Sequence, residues 1–296
     1  MAVASALLLV CSACGGVDTL TPAVTNASAG HGGAGGAGGG IPGEAGSAGS
    51  PSGGGPSAPP RALIVGTDFG GYMDDLRARL AGTGDFETVD VLPLPSFGAC
   101  ESDGGAQTPS LETLLGYDVA LVTMFGAFPQ GHFALGDVLA EFFDAGGRVV
   151  HANTYSGWLM GGRFYGYNCS AIMQNNVCSI QCEPLAEHYT LLHEGDMWSD
   201  GIPDALVAVR ESALLDGVAS LSSPQNLHLH NVVVEPHVTV VARWQTDSAP
   251  MAVTGKIAGR TRADLNLVPA SADLMPSAGW TGDGTRLMRN ALLMSE

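Results

Sequence analysis

Hydroxyl, imidazole and thiol side chains are the groups in this sequence that could act as nucleophiles, bases or metal ligands. Thr154 and Ser156 follow an apolar segment that contains His151, and a hydroxyl activated by an imidazole is a common nucleophile in acyl transfer. Because His151 falls inside the apolar segment, its side chain is expected to pack there. Polar residues at a strand end are therefore the favoured interpretation, and a Thr or Ser nucleophile is the alternative.

Two histidines, His228 and His230, are separated by one residue, a spacing that puts both imidazoles on one face of a strand. Imidazole pairs bind transition metals, but the sequence shows no third ligand beside them. A polar strand edge is the favoured interpretation. We therefore predict no metal site and no cofactor, and we assign no catalytic residue.

Four cysteines lie in the chain beyond residue 60: Cys100, Cys169, Cys178 and Cys182. An even number of cysteines in an oxidising compartment predicts two disulfides, and all three pairings are open. A zinc site that combines Cys178 and Cys182 with the nearby His188 and His193 is the rival hypothesis. Disulfides are favoured because exported thiols normally oxidise.

Five aromatic residues are clustered between residues 155 and 167, beside amide groups and Arg163. Flat rings next to amide and guanidinium groups suit a sugar or another polar small ligand. A small satellite core under a long loop is the commoner arrangement of such rings. For a ligand site at the strand ends, the predicted contact residues are Asp68, Phe125, Asn153, Tyr155 and Trp158.

The elements that must position these side chains are short apolar runs alternating with helical patterns. Strands are predicted at residues 62–66, 88–92, 117–123, 148–153, 226–234, 239–244, 250–253 and 264–268, and helices at 72–80, 111–115, 134–144 and 284–294. The first run is apolar throughout, as expected of a strand buried on both faces of a parallel sheet. The alternation predicts an α/β fold with a doubly wound, mostly parallel sheet flanked by helices. Ligands of such sheets lie beyond the carboxyl ends of the strands.

An ordered set of segments resembles the class I glutamine amidotransferase-like superfamily, and especially its ThuA-like branch. The segments are residues 117–122, 146–150, 215–218, 240–244 and 279–293. The resemblance implies a flavodoxin-like domain over residues 61–296, with a cysteine-containing insertion at 155–200. Active members of that superfamily carry a Gly-x-Cys-x-Gly elbow, whereas residues 151–157 here contain no cysteine. The resemblance therefore implies a binding or structural role without catalysis, and a hydrolase or amidotransferase relative with an atypical Thr or Ser nucleophile is the alternative.

The first residues resemble a bacterial lipoprotein signal. The apolar run at residues 6–10 is as long as a signal-peptide core and too short to span a bilayer. Small residues precede Cys14, the position that carries the lipid in a lipobox, and Cys11 occupies the usual leucine position. The resemblance implies a signal peptide at 1–14 and a palmitate-type lipid on Cys14. The lipid would anchor the protein in the cell envelope, facing away from the cytoplasm, at the outer membrane or cell surface.

Residues 15–60 are expected to form a disordered tether. From residue 30 they are almost entirely Gly, Ala, Ser and Pro, and a flexible chain of this length spans roughly 35 to 40 Å. The formal charge of −17 argues against a nucleic-acid partner, because binding a polyanion requires clustered Lys and Arg. The expected partners are the membrane, through the lipid anchor, and a small polar ligand or an envelope protein.

Overall fold

A computed structural model describes residues 58–68, 70–97, 108–124, 128–129, 132–153, 161–174, 177–185, 188–193, 196–198, 201–225 and 227–294. The strands are β1 (Arg61–Thr67), β2 (Thr88–Pro93), β3 (Ser96–Phe97), β4 (Val119–Met124), β5 (Phe128–Pro129), β6 (Arg148–Asn153), β7 (Tyr167–Gln174), β8 (Val177–Pro184), β9 (Leu192–His193), β10 (Asp196–Trp198), β11 (Asp204–Ala208), β12 (Leu221–Ser223), β13 (His228–His230), β14 (Val233–Val234), β15 (Thr239–Trp244), β16 (Pro250–Ile257), β17 (Arg260–Leu265) and β18 (Thr281–Gly282). The helices are α1 (Tyr72–Ala81), α2 (Leu111–Leu114), α3 (His132–Asp144), α4 (Gly162–Tyr165) and α5 (Gly284–Leu293), with a 3₁₀ turn at Ala213–Leu215. Within these ranges, no helix combines the length and the apolar character needed to cross a bilayer.

Ten strands form one mixed sheet in the order β18-β12-β11-β15-β16-β17-β6-β4-β1-β2. The last five strands of this order are parallel to one another. Six of the seven residues of β1 are buried, because the strand has neighbours on both edges and helices on both faces. Counted along the chain, the parallel strands run 2-1-3-4-5, an order in which the first and third strands are neighbours.

The other half of the sheet is antiparallel, so the expectation of a mostly parallel sheet is wrong. β17 pairs in parallel with β6 but antiparallel with β16, which in turn pairs antiparallel with β15. Ala258 and Gly259, with φ of 50° and 81°, close the tight turn between β16 and β17. Two successive residues with positive φ suit the twist of an antiparallel hairpin. The described chain is therefore an α/β fold built on a mixed sheet.

Helices cover both faces of the parallel strands, and each face has its own apolar core. Helices α1 and α5 pack on one face, and α3 and α4 pack on the other. Alternate residues of β1 enter the two cores, since successive side chains of a strand point to opposite faces. Ile64 belongs to the first core and Leu63 to the second.

Asp283 precedes helix α5, where the sequence predicts a capping side chain. The structure places it at the cap position, but its side chain makes no capping hydrogen bond. Instead, its Oδ2 accepts hydrogen bonds from the main-chain N–H groups of Ala219 and Ser220, at 2.8 and 2.9 Å. Asp283 thus ties the start of α5 to the segment that leads into β12.

The predicted insertion at 155–200 contains a regular hairpin in its described part. β7 and β8 pair antiparallel over eight residues each, and the register sets Cys169 opposite Cys182 and Met173 opposite Cys178. Cys100 lies outside the described residues. Cys178 and Cys182 are four residues apart on one strand, a separation of about 13 Å. The hairpin therefore orders three of the four cysteines, which the sequence could not do.

Candidate functional site

The carboxyl ends of β1, β4 and β6 lie side by side at one edge of the sheet. Gly66 pairs with Thr123, and Met124 pairs with Asn153. A Cβ at Gly66 would lie 1.6 Å from the carbonyl oxygen of Thr123, so only glycine permits this approach of β1 to β4. The close approach brings the residues after β1 next to the end of β4.

A buried tyrosine fixes the same edge from helix α1. The hydroxyl of Tyr72 donates to the carbonyl oxygen of Thr67 at 2.7 Å and lies 2.9 Å from Oγ1 of Thr123. All three residues are buried, and a buried hydroxyl is costly unless it is hydrogen-bonded. Tyr72 therefore joins the ends of two strands to the first turn of the helix that follows β1.

Asp68 was predicted to contact a ligand, and the structure gives it a position at this edge. It follows β1 directly and is exposed. Its Oδ1 accepts a hydrogen bond from the N–H of Met73 at 3.2 Å, which satisfies one of the free donors at the start of α1. Asp68 thus has an identifiable role in the fold and a carboxylate that solvent reaches.

Asn153 is the last residue of β6 and stands two strands away from Asp68, with β4 between them. Asp68 and Asn153 therefore lie at the same edge. The other three predicted contact residues, Phe125, Tyr155 and Trp158, lie outside the described residues, as do Thr154 and Ser156.

His151 is packed within the sheet, as its place in the apolar segment indicates. The side chain is 9% exposed, and its ring meets that of Tyr165 edge-on at 5.3 Å between centroids. Burial lowers the pKa of His151 to about 4, with a smaller opposing effect of Asp264. The imidazole is therefore neutral at pH 7.

A buried ion pair lies beside His151 on the neighbouring strand β17. Nη2 of Arg262 is 2.7 Å from Oδ1 of Asp264, and the two side chains are 0% and 1% exposed. The register pairs Asp264 with His151. The guanidinium of Arg262 also lies over the ring of Phe164, 3.9 Å from its centroid. Burial lowers the pKa of Arg262, while Asp264 opposes this effect.

The ion pair connects β17 to the segment that follows the β7–β8 hairpin. Arg262 donates to the carbonyl oxygen of Tyr189, and Asp264 Oδ2 accepts from the N–H of Leu191 at 3.3 Å. Tyr165 lies against the same group, and burial raises the pKa of its phenol. These contacts are expected to hold the parallel strands rigidly in place near their carboxyl ends.

Sequence reasoning missed the support residues Tyr72, Arg262 and Asp264. The signal that could have found two of them is the placement of charged residues in an apolar strand, since a charge is rarely fully buried unless it is paired. The predicted strand at 264–268 includes Asp264 but not Arg262. The pair could be recognised only once the strand boundaries at 260–265 were known.

The sequence matches no protein-family model and no curated protein. The solved structures that are similar to the chain include two ThuA-like proteins. A ThuA-like protein from Parabacteroides merdae is 11% identical, with 79% of this chain and 88% of that protein covered and a TM-score of 0.47. A ThuA-like protein from Bacteroides uniformis is 16% identical, with coverage of 82% and 94% and a TM-score of 0.45. The chain covers most of each of these two proteins.

Proposed function

We propose that the α/β domain binds a small polar ligand, a sugar or a compound of similar chemistry, at the carboxyl edge of its parallel strands. The observation that carries this proposal is the strand order, which sets Asp68 and Asn153 at one edge on either side of β4. Ligands of doubly wound sheets lie beyond the carboxyl ends of the strands. The role proposed here is binding without catalysis.

The chemistry of the edge favours a neutral ligand rich in hydroxyl groups. Asp68 offers an exposed carboxylate, and Asn153 brings an amide, which both donates and accepts. The proposed contribution of Phe125, Tyr155 and Trp158 is a flat apolar surface for the face of a sugar ring. Tyr72 and the Arg262–Asp264 pair hold the parallel strands in place, which keeps the ends of β1 and β6 at a fixed spacing.

Calorimetric titration of the full-length protein with glucose and maltose tests the proposal. We expect one saturable site for at least one sugar. Asp68→Asn, which keeps an oxygen to accept from Met73, lowers the affinity by about tenfold, because a hydrogen bond to a charged group contributes about 1.5 to 3 kcal/mol. Asn153→Ala lowers it by about two- to tenfold, because a hydrogen bond between neutral groups contributes about 0.5 to 1.5 kcal/mol. Glu112→Gln, an exposed change on α2, is the matched control. Wild-type affinity in both edge variants would contradict a site at this edge.

We further propose that the domain is displayed from a membrane of the cell envelope. The support is the sequence alone: the apolar run, the small residues before Cys14 and the glycine-rich residues that follow. One acyl chain gives only marginal membrane binding, so stable attachment needs a cysteine with more than one chain. The tether would let the domain reach ligands, or an envelope protein, at a distance from the bilayer.

A further inference from the structure

His228, His230 and Asp247 form a compact group at the end of strand β13. The two imidazole rings are stacked, with 4.3 Å between centroids and 12° between planes. Both rings direct one nitrogen at the same carboxylate oxygen: Oδ2 of Asp247 lies 3.2 Å from Nε2 of His228 and 2.7 Å from Nδ1 of His230. These three atoms lie within 4.8 Å of one another.

The tertiary structure supplies the third member of this group. His228 and His230 share a face of β13 because they are two residues apart. Asp247 comes from the turn between β15 and β16, 17 residues after His230 in the sequence. Its Oδ1 accepts from the N–H of Ala249 at 2.9 Å, so Oδ2 is the oxygen that faces the imidazoles.

Hydrogen bonds hold β13 against the carboxyl end of β17. Asn266, the residue after β17, accepts from the N–H of Leu229 at 2.8 Å and donates to its carbonyl oxygen at 2.9 Å. The indole N–H of Trp244 donates to the carbonyl oxygen of Asn266 at 2.8 Å. The ring of Trp244 also stacks on His228, 5.1 Å between centroids. The positions of both histidines are therefore fixed before any ligand binds.

The turn that carries Asp247 is fixed by the buried carboxylate of Asp204. Oδ1 of Asp204 accepts from the N–H groups of Gln245 and Thr246, both at 3.0 Å. Asp204 is 3% exposed, and its Oδ2 has no hydrogen-bond partner among the described residues. Its negative charge acts on His228 and adds to that of Asp247. Two carboxylates near two imidazoles make the position favourable for a cation.

Burial lowers the pKa of His228, with an opposing effect of its hydrogen bond to Asp247. Burial would raise the pKa of Asp247, but the N–H of Ala249 and the two imidazoles lower it overall. An imidazole coordinates a metal in its neutral form and a carboxylate in its ionised form. The exposed fractions, 0% for His228, 18% for His230 and 25% for Asp247, leave one side of the group open to solvent.

We propose that His228 Nε2, His230 Nδ1 and Asp247 Oδ2 bind a divalent transition metal ion such as Zn²⁺. Two imidazoles and one carboxylate favour the transition metals over Mg²⁺ and Ca²⁺, which prefer oxygen ligands. Three protein ligands leave a further coordination position for water or for a metal-binding group of a ligand. Coordination through these two ring nitrogens would leave any ring proton on the other nitrogen of each imidazole, and the metal would take the place of the two contacts to Asp247.

Zinc titration of the full-length protein, stripped of metal with a chelator, tests this site by calorimetry. We expect one Zn²⁺ per chain at the site. His230→Gln and Asp247→Asn each weaken that binding by at least about tenfold, since even the loss of an outer-shell partner costs 10–100-fold. His237→Gln, an exposed change on another segment, keeps wild-type affinity, and Mg²⁺ does not compete.

The visible absorption of bound Co²⁺ identifies the type of ligand atoms. It also tests the site if Asp247→Asn does not fold. Co²⁺ bound to wild-type protein gives visible bands of nitrogen and oxygen coordination, and His230→Gln, checked for folding by circular dichroism, loses them. A thiolate charge-transfer band, unchanged affinity in His230→Gln, or no zinc binding by the wild type would overturn the proposal. The outcome is independent of sugar binding, because Asp68 and Asn153 remain unchanged.

Discussion

His151, Arg262 and Asp264 are polar side chains buried near the carboxyl edge of the sheet, and they tolerate burial in two ways. His151 is neutral because its pKa is lowered to about 4. Arg262 and Asp264 pair with each other and with main-chain groups of Tyr189 and Leu191. An unpaired buried charge costs several kcal/mol. The folded state therefore depends on a neutral His151 and on the pairing of Arg262 with Asp264.

Acidification should reduce the free energy of unfolding through His151. Its pKa is about 4 in the folded protein and 6.5 as the ordinary value, so below pH 6.5 the unfolded chain binds more protons. Stability from this group is complete above pH 6.5 and decreases as the pH falls towards 4, by up to roughly 3 kcal/mol. Urea unfolding at several pH values measures this slope. His151→Gln should flatten it, and an identical slope in the variant would contradict the assignment.

Removal of one member of the buried ion pair should destabilise the domain strongly. Arg262→Met leaves Asp264 charged and buried, which is expected to lower the free energy of unfolding by roughly 3 to 5 kcal/mol. The double variant Arg262→Met with Asp264→Asn should lose less, because no unpaired charge remains. Denaturant titration of both proteins checks the order. A single variant within about 0.5 kcal/mol of wild type would show that the pair is not essential.

At the scale of elements, the β7–β8 hairpin fixes the order of Cys169, Cys178 and Cys182 along its two paired strands. Cys169 and Cys182 stand opposite each other in the antiparallel register, and Cys182 is not a free thiol. Disulfide formation requires Cα atoms within about 7 Å. Cys178 and Cys182 are about 13 Å apart along one strand, so they are too distant to pair.

Disulfide mapping of the non-reduced protein should therefore recover a Cys169–Cys182 peptide. The second expected link joins Cys100 to Cys178, the two cysteines that remain. Proteolysis without reduction, followed by mass spectrometry, identifies the linked peptides. Reduced protein digested in parallel is the control. A peptide that links Cys178 to Cys182 would contradict the extended strand β8.

At the scale of the whole molecule, the sequence predicts a strongly acidic domain attached to a membrane by a lipid. The formal charge of −17 comes from 29 acidic and 12 basic residues. Such a charge keeps the protein soluble and repels polyanions. The proposed attachment would therefore depend on the lipid rather than on basic side chains on the surface.

Detergent phase separation of lysates from bacteria that express the protein tests the lipid anchor. Wild-type protein should enter the detergent phase because of its acyl chains, and Cys14→Ser should move it to the aqueous phase. Cys11→Leu, which supplies the usual lipobox residue and keeps Cys14, is the matched control and should behave as wild type. If the wild-type protein stays in the aqueous phase with Cys14 unmodified, the lipoprotein proposal is contradicted.

Much of the parallel half of the fold could be predicted because local signals agree there. The predicted strands at 62–66 and 148–153 became β1 and β6 with nearly the expected boundaries, since an apolar run marks the first and a Gly-Gly helix stop precedes the second. The predicted strand at 226–234 instead divides into β13 and β14, with Asn231 at a positive φ of 54° between them. An asparagine tolerates that conformation, but its type alone does not reveal the break.

The sequence by itself determined the α/β alternation, the acidic charge and the side chains available at the strand ends, because these follow from composition and local periodicity. Only the tertiary structure decided that half of the sheet is antiparallel and that Arg262 pairs with Asp264 inside it. It also brought Asp247 to His228 and His230. The strand pairings and the Asp247 contact join residues that are distant in sequence. Arg262 and Asp264 are neighbours on one strand, but their burial depends on the elements packed around β17. No local pattern encodes how those elements come together.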